Sequence, residues 1–310
     1  MEYYLLRRAI EFDIVAPNKP EYGTASERLD QHYTGGFVYQ PEPGLYSDLV
    51  VFDFRSLYPT IISSHNIGPE TLNCFCCAET APRVPETDHW FCQKTKGFLS
   101  IVVEDLIVRR LRIKDMFKEV KTEGGDLHLL QARSETLKIM TNSFYGYLGF
   151  FAARWYSLPC AESVTAYARS YIQRVIAEAK ERGFSVVYSD TDSIFITLGQ
   201  KQKEDALAFV NDFNKTLTGY MELDYQGYYP RGIFVAVKGE EKGAKKKYAL
   251  LNTDGTVKVT GFESVRRNWS PIAKEVQEQV LSLVLNTSDA SAAIDYVRQV
   301  IDDLRKMNVE

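Results

Sequence analysis

From Val186 to Ile196 the chain reads Val-Val-Tyr-Ser-Asp-Thr-Asp-Ser-Ile-Phe-Ile, two apolar runs that meet at Asp190-Thr191-Asp192. Runs this short, rich in β-branched and aromatic residues and separated by turn-forming residues, predict two strands joined by a tight hairpin. The period of two in extended chain then places both carboxylates on one face. Two acids with a single residue between them repel unless water solvates them or a divalent cation neutralises them. Mg²⁺ favours such a setting, with few carboxylates and the remaining ligands supplied by substrate phosphates. Asp and Ser are also ordinary turn formers, so the same tripeptide serves as a solvated hairpin tip. The rest of the chain has to decide between the two.

A second acid follows a second strand. Leu49-Val50-Val51-Phe52-Asp53-Phe54 reads as a buried strand with an acid near its end, and Arg55-Ser56-Leu57-Tyr58-Pro59 leads into a helix expected to start at Thr60 after the proline. A carboxylate beside a helix start lies next to backbone N–H groups able to hold phosphate oxygens. The plainer account is an acid capping its own helix. Between Gly97 and Gly149 the pattern predicts an αα-hairpin broken at Gly124-Gly125-Asp126. Arg110 and Lys114 are four apart on the first helix, and Lys138, Asn142 and Tyr145 share one face of the second. If those faces meet, the cations make a phosphate clamp; singly, each is an ordinary surface charge.

The remaining segments are read more simply. Met1–Glu11 is predicted helical and Pro17–Asp30 a loop, and Tyr33-Thr34-Gly35-Gly36-Phe37 reads as a turn whose paired glycines also let backbone approach a ligand. Helices are expected over Cys160–Arg182 and Lys203–Leu217, with a strand over Gly232–Lys238. Gly243–Leu251 begins basic at Lys245-Lys246-Lys247 and becomes a strand that returns through an Asp254-Gly255 hairpin. Ser270-Pro271 caps a helix to Leu285, and Ser288 or Asp289 caps another that reaches the end of the chain.

With 310 residues, 45% of them hydrophobic, the chain can fill the core of one large or two ordinary domains. No apolar run approaches the roughly 20 residues needed to cross a bilayer, and the first residues lack the order of a signal peptide, so an intracellular protein with no membrane partner is expected. A net charge of -4 does not announce a nucleic-acid partner, which leaves local basic clusters to supply phosphate contacts. Cys74, Cys76, Cys77 and Cys92 lie close together and Cys160 apart. Zinc, a Cys77–Cys92 disulfide and free thiols all remain open, since the spacing fits no standard zinc pattern.

Four of these stretches stand in the order and at the spacing of one family. Asp53-Phe54-Arg55-Ser56-Leu57-Tyr58-Pro59, Lys138-Ile139-Met140-Thr141-Asn142-Ser143-Phe144-Tyr145-Gly146, Tyr188-Ser189-Asp190-Thr191-Asp192-Ser193 and Lys245-Lys246-Lys247-Tyr248 resemble the motifs of family B DNA polymerases of the archaeal replicative type. Tyr33 to Gly36 resembles a further family element. The resemblance covers essentially the whole chain. It implies an α+β right-hand polymerase fold, with an antiparallel palm sheet flanked by helices, helical-hairpin fingers and a partial helical thumb. The implied boundaries are palm 1–98 and 150–236, fingers 99–149 and the first part of the thumb 237–310.

The resemblance also implies template-directed addition of dNTPs to a primer 3′-hydroxyl by two-metal nucleotidyl transfer. Asp53, Asp190 and Asp192 with the Phe54 carbonyl would hold two Mg²⁺ ions, Mn²⁺ being an alternative. Ser56, Leu57, Tyr58, Arg110, Lys114, Lys138 and Asn142 would bind the nucleotide, with Tyr58 excluding a ribose hydroxyl and Lys138 a candidate acid. Tyr33, Gly35, Gly36, Tyr145, Lys246, Tyr248 and Arg266 would touch primer-template DNA. No segment matches the family's exonuclease domain and the thumb is short, which implies a trimmed chain or a split polymerase completed by an exonuclease or thumb segment or by a partner subunit. A sliding clamp is a further implied partner, and a cytoplasmic, nucleoid-associated location is implied with it. The alternative is a non-catalytic subunit that binds primer-template or nucleotide. Among the family's cysteine pairs, Cys77 and Cys92 match one, whereas Ser157 replaces a partner of the other and leaves Cys160 alone.

Overall fold

The computed structural model describes residues 1–306, which form helices α1 (Glu2–Glu11), α2 (Tyr22–Leu29), α3 (Leu57–Ser64), α4 (Phe98–Thr122), α5 (His128–Leu148), α6 (Leu158–Glu181), α7 (Lys203–Asn214), α8 (Pro271–Thr287) and α9 (Ser291–Lys306). The strands are β1 (Val38–Tyr39), β2 (Gly44–Phe54), β3 (Ser185–Asp190), β4 (Ser193–Thr197), β5 (Leu223–Ala236), β6 (Gly243–Leu251) and β7 (Val257–Thr260). Residues cluster into two compact units. The first comprises Met1–Phe37, Phe54–Arg174 and Phe213–Leu223; the second comprises Val38–Asp53, Val175–Asp212 and Asp224–Glu310. The expected fingers segment, 99–149, falls in the first unit and the expected thumb segment, 237–310, in the second.

The first unit is built on α3. Leu57, Ile61 and Ile62 are buried, and α4 is buried only along its first part, where Phe98, Leu99, Val102, Val103, Leu106 and Ile107 lie. Ser100 Oγ donates to the Ile62 carbonyl at 3.0 Å, which fixes α4 to the end of α3. The helical hairpin of α4 and α5 reverses at Gly124, whose φ of +73° favours a residue without Cβ. Just past α3, His65 stacks on Tyr167 with centroids 3.7 Å apart, and its Nε2 lies 2.9 Å from the Tyr171 hydroxyl. Burial pushes the His65 imidazole down to about 4. The folded pKa therefore lies below the ordinary 6.5, so the stability that neutral His65 contributes is complete above pH 6.5 and is lost as pH falls through 4. We expect acid unfolding between pH 6.5 and 4 to be less steep in His65→Gln, by up to about 3 kcal/mol across that window. Urea melts at the two pH values check it, and equal slopes in both proteins would contradict it.

In the second unit a sheet of order β1-β3-β4-β2-β5-β6-β7 carries the core. β2 lies inside the sheet, so its Leu49–Phe52 stretch is apolar on both faces, whereas its first half is mostly exposed and alternates. Tyr188, Phe195, Phe234 and Tyr248 form an aromatic cluster with centroids between 5.1 and 5.9 Å apart. α8 buries Leu281 and Leu285 against Ala249, Leu251 and Phe262. Its start is as expected, with Ser270 Oγ accepting from the Ala273 N–H. At its other end Arg231 Nη1 donates to the Leu285 and Asn286 carbonyls at 2.9 and 2.6 Å.

Several local expectations change. The segment read as a loop, Pro17–Asp30, contains α2; none of that helix's residues is buried, so no apolar stripe announced it. The helix expected to start at Thr60 begins at Leu57, with Pro59 in its first turn, where a missing N–H costs nothing. Residues 33–37 form no turn and neither glycine takes a positive φ. The strand expected over Gly232–Lys238 runs from Leu223 to Ala236, and the two-residue β1 carried too few residues to show a period. Of the last helix, residues 307–310 lie outside the described residues. Among the described residues no helix is long and apolar enough to cross a membrane.

Candidate active site

The hairpin joining β3 to β4 forms as expected, and its register supplies what spacing alone could not. Ser193 on β4 is the partner of Asp190 on β3 and also of Asp53 on β2. Directly opposed residues project from the same face, so Asp190, Ser193 and Asp53 form one row across three strands. At about 5 Å per strand the two acidic positions stand about 10 Å apart, with only a small serine between them. Asp192 joins them from the turn: its side chain hydrogen-bonds that of Asp53. Burial raises the Asp192 carboxyl above the usual carboxylate range and the Asp190 charge adds to the effect, against lowering by its own backbone N–H. The turn is held tightly, with the Asp192 N–H donating to the Asp190 carbonyl at 2.6 Å across Thr191, whose φ of +58° is uncommon for a β-branched residue.

This donor set fits a divalent cation. All its ligand atoms are hard oxygens, which suit Mg²⁺ or Mn²⁺ rather than a thiophilic metal. Two carboxyl groups in hydrogen-bond contact share a proton unless a cation takes its place, and a cation would also remove the repulsion from Asp190. Lys246 supplies a single positive charge nearby, its Nζ 3.4 Å from Asp190 Oδ1. The Lys246 backbone is pinned independently, its N–H donating to the Tyr188 hydroxyl at 2.9 Å. Tyr248 is half-buried in the aromatic cluster, and Arg266 is exposed beyond β7.

In the first unit a narrow pocket is lined by Arg55, Ser56, Thr60, Ile107, Arg110, Leu111, Lys114, Thr141 and Tyr220. Arg110 Nη1 donates to Ser56 Oγ at 2.8 Å, while Arg110 Nε is buried without a partner. Burial and the neighbouring Arg55 guanidinium hold Arg110 below its ordinary pKa. A group of cations whose charge is partly desolvated, with a guanidinium N–H left over, is arranged to receive an anion. The start of α3 adds to it, because the Leu57 N–H has no acceptor within the helix. Arg110, Lys114 and Ser56 thus come together as the sequence suggested. Lys138 and Asn142 do not line the pocket; they are exposed on α5, whose contribution is the buried Thr141.

The tyrosines form a chain of their own. Tyr58 packs on Tyr145 with ring centroids 4.3 Å apart, and the Tyr33 hydroxyl donates to that of Tyr145 at 2.8 Å. Burial, reinforced by the Tyr33 bond, keeps the Tyr145 phenol protonated. Gly35 has open space around its Cα, and Gly36 is exposed. Their backbone is held by Arg169, which is 7% exposed and donates from Nη1 to the Thr34 and Gly35 carbonyls at 2.8 Å while pairing with Glu86. Arg169 sits on α6, within the helix expected over Cys160–Arg182, and no motif marks it. Arg55 was readable, since it directly follows the acid-bearing strand. Phe54 is a core residue, 1% exposed, so only its carbonyl is available as a ligand.

Comparison with known proteins shows the family of the chain. The family model for DNA polymerase family B matches residues 1–310. The chain belongs to DNA polymerase family B. It is 43% identical over 313 residues to DNA polymerase 1 of Pyrococcus abyssi and 41% identical over 314 residues to a DNA polymerase of Thermococcus gorgonarius. Both alignments cover 100% of this chain and 39% of the relative, so the chain spans about two fifths of their length. The solved family B DNA polymerase of the hyperthermophilic archaeon Pyrobaculum calidifontis superposes with a TM-score of 0.74 at 34% identity, covering 99% of this chain and 38% of that one. As a family B chain it has the expected α+β build, mixed helices with an antiparallel sheet.

Proposed function

We propose that this chain is the catalytic core of a DNA-directed DNA polymerase, and that it adds deoxynucleotides to a primer 3′-hydroxyl opposite a template. The observation that carries the proposal is the row Asp190, Ser193, Asp53 on adjacent strands, followed within three residues of chain by the anion-receptive Ser56–Arg110 pair. Asp53 and Asp190, with Asp192 and the Phe54 carbonyl, would hold two Mg²⁺ ions. Bound there, the ions supply Lewis-acid polarisation of the primer hydroxyl and of the triphosphate. Arg110, Lys114 and Ser56 take the phosphate oxygens, with Lys138 and Asn142 reaching the same group from α5. Lys138 donates a proton to the departing pyrophosphate.

Tyr58, backed by Tyr145, lies under the deoxyribose and leaves no room for a 2′-hydroxyl. Tyr33, Gly35, Gly36, Lys246, Tyr248 and Arg266 contact the primer-template duplex through phosphate and minor groove, which gives sequence-independent binding. In this reading α4 and α5 are the fingers, the sheet is the palm and α8 with α9 begin the thumb. A thumb or exonuclease segment, or a partner subunit, completes the working polymerase, and a sliding clamp is a further partner.

Primer extension on a labelled primer-template with Mg²⁺ and four dNTPs tests the proposal. Template-matched extension is expected, and a folded chain that binds primer-template but adds no nucleotide, even with a full-length relative's missing segments supplied in trans, would overturn it. Tyr58→Ala is expected to raise ribonucleotide use relative to deoxynucleotide use on the order of 10²-fold, since it removes a steric block rather than a hydrogen bond. The ratio of kcat/KM for the two sugars measures it; an unchanged ratio would remove Tyr58 from the sugar site.

A further inference from the structure

The four cysteines that fit no zinc pattern in sequence converge in space. Cys74-Phe75-Cys76-Cys77 enters a single 3₁₀ turn over Phe75–Cys77, with the Phe75 side chain 99% exposed. Fifteen residues after Cys77, Cys92 returns beside it. The return is fixed by backbone: the Asn73 N–H donates to the Trp90 carbonyl at 2.8 Å and the Cys92 N–H to the Thr71 carbonyl at 2.9 Å. Trp90 closes one side, its Nε1 donating to the Cys74 carbonyl at 2.9 Å.

All four Sγ atoms lie within 4.8 Å of one another. The Cys76 sulfur is 3.6 Å from that of Cys77 and 3.7 Å from that of Cys92. A tetrahedral tetrathiolate with Zn–S bonds of about 2.3 Å has S···S edges of about 3.8 Å. A disulfide needs about 2.05 Å and would use only two of the four sulfurs; all five cysteines of the chain are unbridged.

Backbone donors are aimed at the sulfurs as well. The Gln93 N–H donates to Cys77 Sγ at 3.4 Å, and Lys94 and Thr95 N–H groups donate to Cys92 Sγ. Such donors stabilise thiolate rather than thiol. Four thiolates this close cannot coexist without a cation between them.

We propose that Cys74, Cys76, Cys77 and Cys92 form a closed structural zinc site. One Zn²⁺ binds all four sulfurs, the protons they still carry pass to solvent, and no coordination position remains open for substrate. The ion staples the loop ahead of α4, and this role is independent of the polymerase reading.

The test loads the reduced 310-residue chain with Zn²⁺, removes excess metal and measures zinc by mass spectrometry, with thiol titration in parallel. One zinc ion per chain is expected, lost in Cys76→Ser and in Cys92→Ser and retained in Cys160→Ser. Cys76 is exposed, so its replacement leaves the fold intact by circular dichroism. Co²⁺ in place of Zn²⁺ is expected to give the visible bands of a tetrahedral tetrathiolate. Failure of the folded, reduced chain to retain zinc or cobalt would overturn the proposal. Full zinc retention in Cys76→Ser, or isolation of the chain with Cys77 and Cys92 disulfide-linked and resistant to metal loading after reduction, would do the same.

Discussion

Asp190→Asn is expected to reduce nucleotide incorporation by at least about 10³-fold while leaving primer-template affinity within a few-fold of normal. The substitution keeps the shape of the side chain and its place opposite Ser193, so the sheet register that brings Asp53 and Asp190 into one row is preserved. What it removes is one of the negative charges that the proposed divalent cations would require, and it leaves Lys246 facing a neutral amide instead of a carboxylate at 3.4 Å. In the proposed reading DNA binding would rest on phosphate contacts elsewhere and would lose an unfavourable carboxylate, so it is expected to hold or improve. Single-turnover incorporation at saturating dNTP, with a separate equilibrium titration of primer-template, distinguishes the two quantities. Incorporation near the unsubstituted rate would exclude Asp190 from the metal site.

Arg110→Ala is expected to lower kcat/KM for the incoming nucleotide by about 10²-fold, chiefly through KM, which corresponds to roughly 3 kcal/mol. The reason lies in the pocket: Arg110 is held against Ser56 at 2.8 Å, close to a second guanidinium, with its Nε buried and unpartnered. That geometry is unfavourable for the chain alone and favourable only when an anion enters. The same substitution should therefore leave the melting temperature unchanged or slightly higher, since it relieves a partly buried cation beside a second guanidinium. A large loss of stability with unchanged KM would make Arg110 a structural residue instead. Competition by inorganic triphosphate, weakened in the variant, provides an independent reading of the same contact.

The helical hairpin was legible because its signals are local: an apolar period of 3.6 on each side of a glycine pair needs no distant partner. The acid hairpin and the Asp254-Gly255 return were legible for the same reason. α2 was missed because a helix with no buried residue has no stripe to read. Lys138 and Asn142 illustrate a different limit. Helical spacing correctly groups them on α5, but whether that face or the neighbouring one with Thr141 lines the pocket depends on the rotation of α5 against α3 and α4.

Sequence by itself determined the long helices, the strands around the acid hairpin and the order of motifs that places the chain in its family, because propensity, periodicity and turn chemistry act over a few residues. Only the tertiary structure decided convergence. Asp53 meets Asp190 because β4 pairs with both their strands in one register, Arg169 clamps the Thr34 and Gly35 carbonyls across more than a hundred residues, and Cys92 closes on three other thiols through a backbone return. Distances of this kind are set by strand register and loop path. These follow from packing the whole chain and leave no periodic trace in any one stretch of it.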